Sequence, residues 1–141
     1  MEITKRSFEV ETTGRFEIEN VTGDVESAIE DAGITDGLVH VYSSHTTAVV
    51  STNEFEERLL DDMIEKFHEF APPEDGYTHD RHHYATDTQP NAHAHIICAM
   101  LKNTVLMPLI DGELDLGTWE EVMFFEVDGP NTRTINVAIY S

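Results

Sequence analysis

The chain reads as an α+β protein: mostly antiparallel β-sheet, open or folded into a sandwich, with two to three helices in a single domain spanning residues 1–141. Three observations predict this class. Several segments alternate apolar and polar residues at the period of two that a half-buried strand requires. One segment, Glu54 to Phe70, carries its apolar residues at helical spacing instead. Short turn-forming steps, Thr12-Thr13-Gly14, Asp111-Gly112 and Asp128-Gly129-Pro130-Asn131, separate neighbouring strand patterns, as hairpins do.

Taken in order, Glu2 to Glu11 places Ile3, Phe8 and Val10 among polar residues and reads as a strand. Arg15 to Glu19 alternates cleanly, so a hairpin across Thr12-Thr13-Gly14 is expected. Thr22 suits the start of a short helix with Val25, Ala28 and Ile29 on its apolar side, and Gly33 suits its end. Gly37 to Tyr42 and Thr47 to Thr52 are strand-like runs. The helix from Glu54 buries Phe55, Leu59, Leu60, Met63, Ile64 and Phe67 on one stripe, and Pro72-Pro73 stops it. Residues 71–90 lack periodicity and read as one long loop, the kind of segment that is functional or disordered in a compact domain. Asn91 to Leu101 reads as a helix. Val105 to Ile110, Trp119 to Val127 and Arg133 to Tyr140 complete the strands.

Charge dominates the composition. The chain holds 28 Asp and Glu against 8 Lys and Arg, a formal net charge of -20, spread along its whole length. Dispersed acid is a solvation pattern and not an interaction tail. It implies adaptation to high salt, where screening relieves self-repulsion, and hence a halophilic, archaeal source. It also argues against nucleic-acid binding, which needs a basic footprint. No apolar run approaches a membrane span and the N-terminus lacks a signal-peptide core, so a cytoplasmic protein is expected. The single cysteine, Cys98, lies in an apolar run and reads as a small buried hydrophobe.

The candidate chemistry lies in the histidines. Ser44-His45-Thr46-Thr47, Tyr77-Thr78-His79-Asp80 and Asn91-Ala92-His93-Ala94-His95 each combine imidazole with hydroxyl, amide or carboxylate groups. Neutral imidazole is the commonest metal ligand and general base near neutral pH, and three of them would leave a metal an open position. On a helix, His93 and His95 point roughly 200° apart, so only one can face a given site. His95, beside the apolar run, is the better candidate; His93 is expected nearer solvent, and His82 and His83 on the surface. Asp80 or Asp87 could orient an imidazole from another segment. Asn53 and Glu54 also suit a cap on the helix that follows. Gly117-Thr118 and Arg133 could together hold a phosphate. Glu126, if buried, needs a partner, and a histidine or a metal would serve.

These segments, in this order, resemble one family. His45-Thr46, Asn53-Glu54, Asp62, Tyr77-x-His79-Asp80, Asn91, His95, Gly112-x-Leu114-x-Leu116-Gly117-Thr118-Trp119, Glu126-x-Asp128-Gly129-Pro130 and Arg133 are similar to the YjbQ-type secondary thiamine-phosphate synthase family from about residue 38 to 140. The resemblance implies a homotrimer of α+β subunits with a metal-capable histidine cluster. Its ligands would be His45, His79 and His95 with Glu126 nearby, holding a divalent ion, zinc first and magnesium as the alternative. It further implies transfer chemistry on small phosphorylated metabolites, joining a pyrimidine diphosphate to a thiazole phosphate with loss of diphosphate. Thr46, Asn53, Asn91, Gly117, Thr118 and Arg133 would then contact substrate or its phosphates. Two positions depart from the pattern: Glu120 replaces a glutamine and Asn131 an arginine. A metal-dependent hydrolase and a non-catalytic metal- or metabolite-binding trimer are the alternatives on the same residues.

Overall fold

The computed structural model describes residues 1–101 and 103–141. Eight strands and four helices follow in the order β1 (Ile3–Glu11), β2 (Glu17–Asn20), α1 (Thr22–Ala32), β3 (Gly37–Ser43), β4 (Ala48–Glu54), α2 (Glu57–Phe70), α3 (Asp80–Thr86), α4 (Ala92–Met100), β5 (Thr104–Ile110), β6 (Glu113–Leu114), β7 (Glu120–Glu126) and β8 (Thr132–Tyr140). The strands form two antiparallel sheets, one ordered β1-β8-β3-β5-β6 and one ordered β2-β7-β4. The α+β reading therefore holds, with α3 as a helix beyond the expected two or three. No helix among the described residues is long and apolar enough to cross a membrane.

The three-stranded sheet is the middle layer. Its β7 run Val122-Met123-Phe124-Phe125 does not alternate because both faces are covered. Val122 and Phe124 pack with Val39, Val41, Ile135 and Val137 of the larger sheet and with Val25 and Ile29 of α1. Met123 and Phe125 pack on the opposite side with Ile97 and Cys98 of α4 and the stripe Leu60, Met63, Ile64 and Phe67 of α2. The order is thus sheet, sheet, helices.

The five-stranded sheet is covered on one face only. Its other face carries Leu38, His40 and Tyr42 from β3, Thr104, Leu106, Pro108 and Ile110 from β5, Thr134, Asn136, Ala138 and Tyr140 from β8, of which Asn136 and Ala138 are buried, and the exposed Ile3, Lys5, Ser7, Glu9 and Glu11 from β1.

Four local expectations change. β1 and β2 do not form a hairpin: β1 pairs along its whole length with β8, and β2 pairs with β7 in the other sheet. The Thr12–Gly14 turn is instead held by the Glu17 carboxylate, which accepts from both Thr13 and Gly14 amides. Thr22 is inside α1; its hydroxyl accepts from the Val122 amide and donates to Glu121, stitching the helix to β7. Asn53 and Glu54 end β4, and the cap of α2 is Glu56, whose carboxylate accepts from the Leu59 amide. The 71–90 segment is not all loop, since Asp80–Thr86 is helical. Other signals hold: Gly33 ends α1 in the left-handed conformation. Asp111 and Gly112, both left-handed, turn β5 into β6.

Candidate functional site

Two neighbouring groups of polar residues sit where the ends of β4, β7 and β8 meet α4 and the α3 segment. The first is a buried ion pair. Glu126, at the end of β7, is fully buried. Its carboxylate receives Arg133 Nε at 2.9 Å on Oε1 and Nη2 at 2.6 Å on Oε2, the Thr12 hydroxyl at 2.8 Å and the Asp128 amide. Arg133 Nη2 also donates to the Thr47 hydroxyl at 3.1 Å. The partner that Glu126 needs is thus an arginine, not a histidine or metal, and the arginine expected to clamp a phosphate is largely committed. Only its Nη1 lacks a partner among the described residues. Gly129 packs so closely on this pair that a β-carbon there would overlap the Gly14 carbonyl.

His45 stands beside the pair. Its Nε2 accepts from the Thr134 amide at 3.0 Å, so the neutral ring carries its proton on Nδ1. Burial first and the Arg133 charge second push its pKa below the usual imidazole value, against the opposing effect of Glu126. Thr46, next in sequence, is exposed.

The second group is a run of imidazoles. His79 and His95 meet edge to face, ring centres 5.0 Å apart, and His83 meets His79 on the other side at 5.2 Å. A hydrogen-bond chain sets the tautomer of His79. Asp128 can only accept, so Asn91 Nδ2 donates to it at 2.8 Å. The Asn91 carbonyl oxygen then faces His79 Nε2 at 3.1 Å, which must donate, and Nδ1 of the neutral ring keeps its lone pair. Asp80, expected to orient an imidazole, instead caps α4 by accepting from the Ala92 amide; Asp128 performs the orienting role through Asn91. His95 is half-buried, and burial first, then the neighbouring His79, lower its pKa. A recess of about 420 Å³ lined by Tyr77, Thr78, His79, Ala92, His95 and Ile96 opens beside the pair.

Several expected site residues lie elsewhere. Asn53 is at the far end of β4, its side chain bonded to the Glu54 amide. Gly117 and Thr118 precede β7 at the end opposite Glu126. That strand of seven residues spans about 20 Å at roughly 3.3 Å per residue. The Gly117 amide donates to the Glu120 carboxylate, and the recess around Gly117 and Thr118 is lined by Glu26, Glu120 and Glu121, a poor setting for an anion. One chain therefore joins His79 with His95 and Asn91, and His45 with Glu126 and Arg133. It leaves Asn53, Gly117 and Thr118 remote from both. Among the described residues no three His, Cys, Asp or Glu side chains are placed to hold one metal ion.

Two site residues escaped the sequence reading. Asp128 looked like part of a turn. His83 looked like surface, yet its Nε2 is buried without a partner; its spacing of four from His79 was the available signal, one helical turn, hidden by reading the segment as loop. His93, expected near solvent, is 1% exposed, and burial then Arg15 lower its pKa. Cys98 is buried as expected, its thiol pushed up to about 12 chiefly by burial.

Three histidines, His45, His93 and His95, thus hold protons less readily folded than at the unfolded value of 6.5. Below that pH the unfolded chain binds more protons than the folded one, so stability rises with pH through this window and is lost as pH falls below about 6.5. Urea unfolding at pH 7.5 and 5.5 should show a clear drop in midpoint, and His93→Gln should make it shallower.

Comparison with known proteins gives a consistent picture. Residues 6–141 match the family model described as UPF0047 protein YjbQ-like. A UPF0047 protein of Archaeoglobus fulgidus is 41% identical over 128 residues, covering 91% of this chain and 94% of its own. Among solved structures, a hypothetical protein of Aeropyrum pernix K1 superposes with a TM-score of 0.86 at 38% identity, covering 95% of this chain and 96% of its own. A YbjQ-like protein of unknown function from Sulfolobus solfataricus superposes with a TM-score of 0.87 at 32% identity, covering 98% and 96%.

Proposed function

The chain belongs to the UPF0047 YjbQ-like family, and from that premise we propose that it is a transferase acting on small phosphorylated metabolites, of the thiamine-phosphate synthase type, supported by a divalent ion at the His79–His95 pair. The observation that carries this reading is the Asp128–Asn91–His79 chain, which presents an imidazole Nδ1 lone pair beside a second imidazole biased toward its neutral form. Such an oriented pair of imidazole donors fits zinc first and magnesium less well.

Charge supports the same reading. Arg133 is neutralised by Glu126, Asp128 adds a negative charge, and the whole chain carries -20. A phosphorylated substrate needs positive charge that these side chains do not supply in excess. A bound divalent ion would provide it, neutralising the diphosphate as it leaves. The protein's own groups do the rest. His79 and His95 fix the position of the charge, Asn91 and Asp128 hold His79 in one tautomer, and the recess lined by Tyr77, Ala92 and Ile96 takes an aromatic ring out of water. Alignment of the thiazole nitrogen with the pyrimidine methylene carbon, as the carbon–oxygen bond to diphosphate breaks, is the remaining requirement.

The test is metal content of protein purified in molar salt without added metal, followed by diphosphate release from the two thiamine precursors. About one ion per chain, lost in His95→Ala, with diphosphate release, supports the proposal. Release of inorganic phosphate from simple esters would move the same site to hydrolysis, and ligand binding without turnover would make it a binding site. Asn91→Ala is a finer probe. The start of α4 is held by the Asn91 main-chain carbonyl, so the helix survives while the orienting amide is lost. Metal affinity should fall by on the order of 10–100-fold, read by competition with a chromophoric chelator.

A further inference from the structure

Beside His79 lies an imidazole nitrogen with nothing to bond. His83 Nε2 is buried and lacks a hydrogen-bond partner among the described residues. Its protonation follows from a short chain of hydroxyls. The Thr86 hydroxyl donates to the His82 main-chain carbonyl at 2.9 Å, since a carbonyl can only accept. Thr86 must then accept from the Thr88 hydroxyl, also 2.9 Å away. Thr88, its proton given to Thr86, accepts from His83 Nδ1 at 2.9 Å. The neutral His83 ring therefore keeps its proton on Nδ1, and the enclosed Nε2 is a bare lone pair. A lone pair shut away from water is a cost to the fold unless a donor or a cation comes to it.

We infer that His83 Nε2 is a third imidazole donor to the divalent ion proposed at the His79–His95 pair, a role that rests on that reading of the site. His79, which precedes α3, already has helical backbone angles. His83, four residues on, therefore lies on the same face one turn later. The two rings meet at 5.2 Å, and His95 lies within electrostatic reach of both. Two separate polar chains, Asp128–Asn91–His79 and Thr86–Thr88–His83, each leave a ring with one free lone pair, as the outer partners of ligating histidines do. His45, the third ligand that the family resemblance implies, has no such freedom: its Nε2 is taken by the Thr134 amide and its Nδ1 holds the proton. His83 thus takes the place in the donor set that His45 cannot fill, and three imidazoles leave a fourth position open. As they stand, the rings form a row, and among the described residues no three donors surround one point. Closing round an ion requires the α3 segment to shift, and residues 72–91 supply no side chain to either hydrophobic core that would resist it.

The probe is zinc, added in molar salt to metal-free protein labelled with nitrogen-15 at histidine, with the imidazole nitrogens read by NMR. Before zinc, His83 should be the Nδ1–H tautomer. With zinc, His79 Nδ1, His83 Nε2 and one His95 nitrogen should shift together, while His45 and His82 stay unmoved. His83→Phe keeps a ring and removes the lone pair. Its zinc affinity should fall by about 100-fold or more, at or above the top of the 10–100-fold range for a lost outer partner. Thr88→Val, at an exposed position, covers the case in which phenylalanine disturbs α3; loss of the orienting hydroxyl should weaken zinc by on the order of tenfold. Shifts at His79 and His95 with His83 unmoved, or variants that bind zinc as tightly as the wild type, would overturn the third donor and leave the ion on the His79–His95 pair. No shift at any of the three rings would overturn both.

Discussion

Arg133→Ala should lower the unfolding free energy by about 3–5 kcal/mol, the cost of stranding a buried charge. Glu126 is completely enclosed and draws both of its strongest contacts from this one guanidinium. Without it, the carboxylate keeps only the Thr12 hydroxyl and the Asp128 amide, and the Thr47 hydroxyl loses the donor it accepts from. Arg133→Lys should recover only part of the loss, because an ammonium cannot match both carboxylate oxygens and Thr47 in one plane. Removing both charges together, with Glu126→Gln added to Arg133→Ala, should cost less than Arg133→Ala alone. Guanidinium unfolding of the four proteins forms the test; equal losses for Arg133→Ala and the double variant would show that the pair is not coupled.

The second large effect is on chemistry. His95→Ala should lower turnover by on the order of 10²–10⁴-fold, the range for a lost acid–base or ligand imidazole, while leaving the unfolding midpoint within a small margin. The ring is half-buried on α4 and meets the His79 ring edge to face. His82→Ala, an exposed neighbour outside the site, is the control and should stay near wild type. The pH dependence follows from the direction of the shift. Burial and the adjacent His79 keep His95 neutral at pH values where a free imidazole, at 6.5, is already protonated. Metal retention should therefore persist below pH 6.5 and fail at a lower pH than for a free imidazole. Equilibrium dialysis across pH 4.5–7.5 reads this directly, and loss of the ion already at pH 7 would remove His95 from the ligand set.

Most strands and the long helix were legible because their signals are local. Alternation marks β1, the run from Gly37 to Tyr42 marks β3 and that from Trp119 to Val127 marks β7, and the stripe from Leu60 to Phe67 marks α2. Pairing was not legible. The Thr12–Gly14 turn looks like a hairpin loop, but Phe8 and Val10 serve the core under the larger sheet while Ile18 serves the one under the helices. β1 pairs with β8 and β2 with β7, and nothing near residue 12 announces either partner. Helix α3 was hidden because Asp80 to Thr86 has no apolar stripe; it is held by Asp80 capping α4 and by the His83–Thr88 contact. In the site, residue types were legible and partners were not. That Glu126 needs company follows from its place in an apolar strand, but the identity of that company is set by register across β7 and β8. The Asp128–Asn91–His79 chain draws on three separate segments, and only the folded chain aligns them.

The two-sided burial of β7 has a consequence for motion. Its amides lie between two cores and should be among the slowest in the molecule to exchange with deuterium, opening only with global unfolding. Glu126 ends that strand and Asp128 follows within two residues, so the acidic side of the site is anchored to the most rigid part of the fold. His79 and His83 come from an exposed segment with little apolar packing, which should exchange orders of magnitude faster. Any breathing of the site is then one-sided: the imidazole wall moves, the carboxylate wall stays, and a bound ligand would be felt as slowed exchange in residues 77–88 with β7 unchanged.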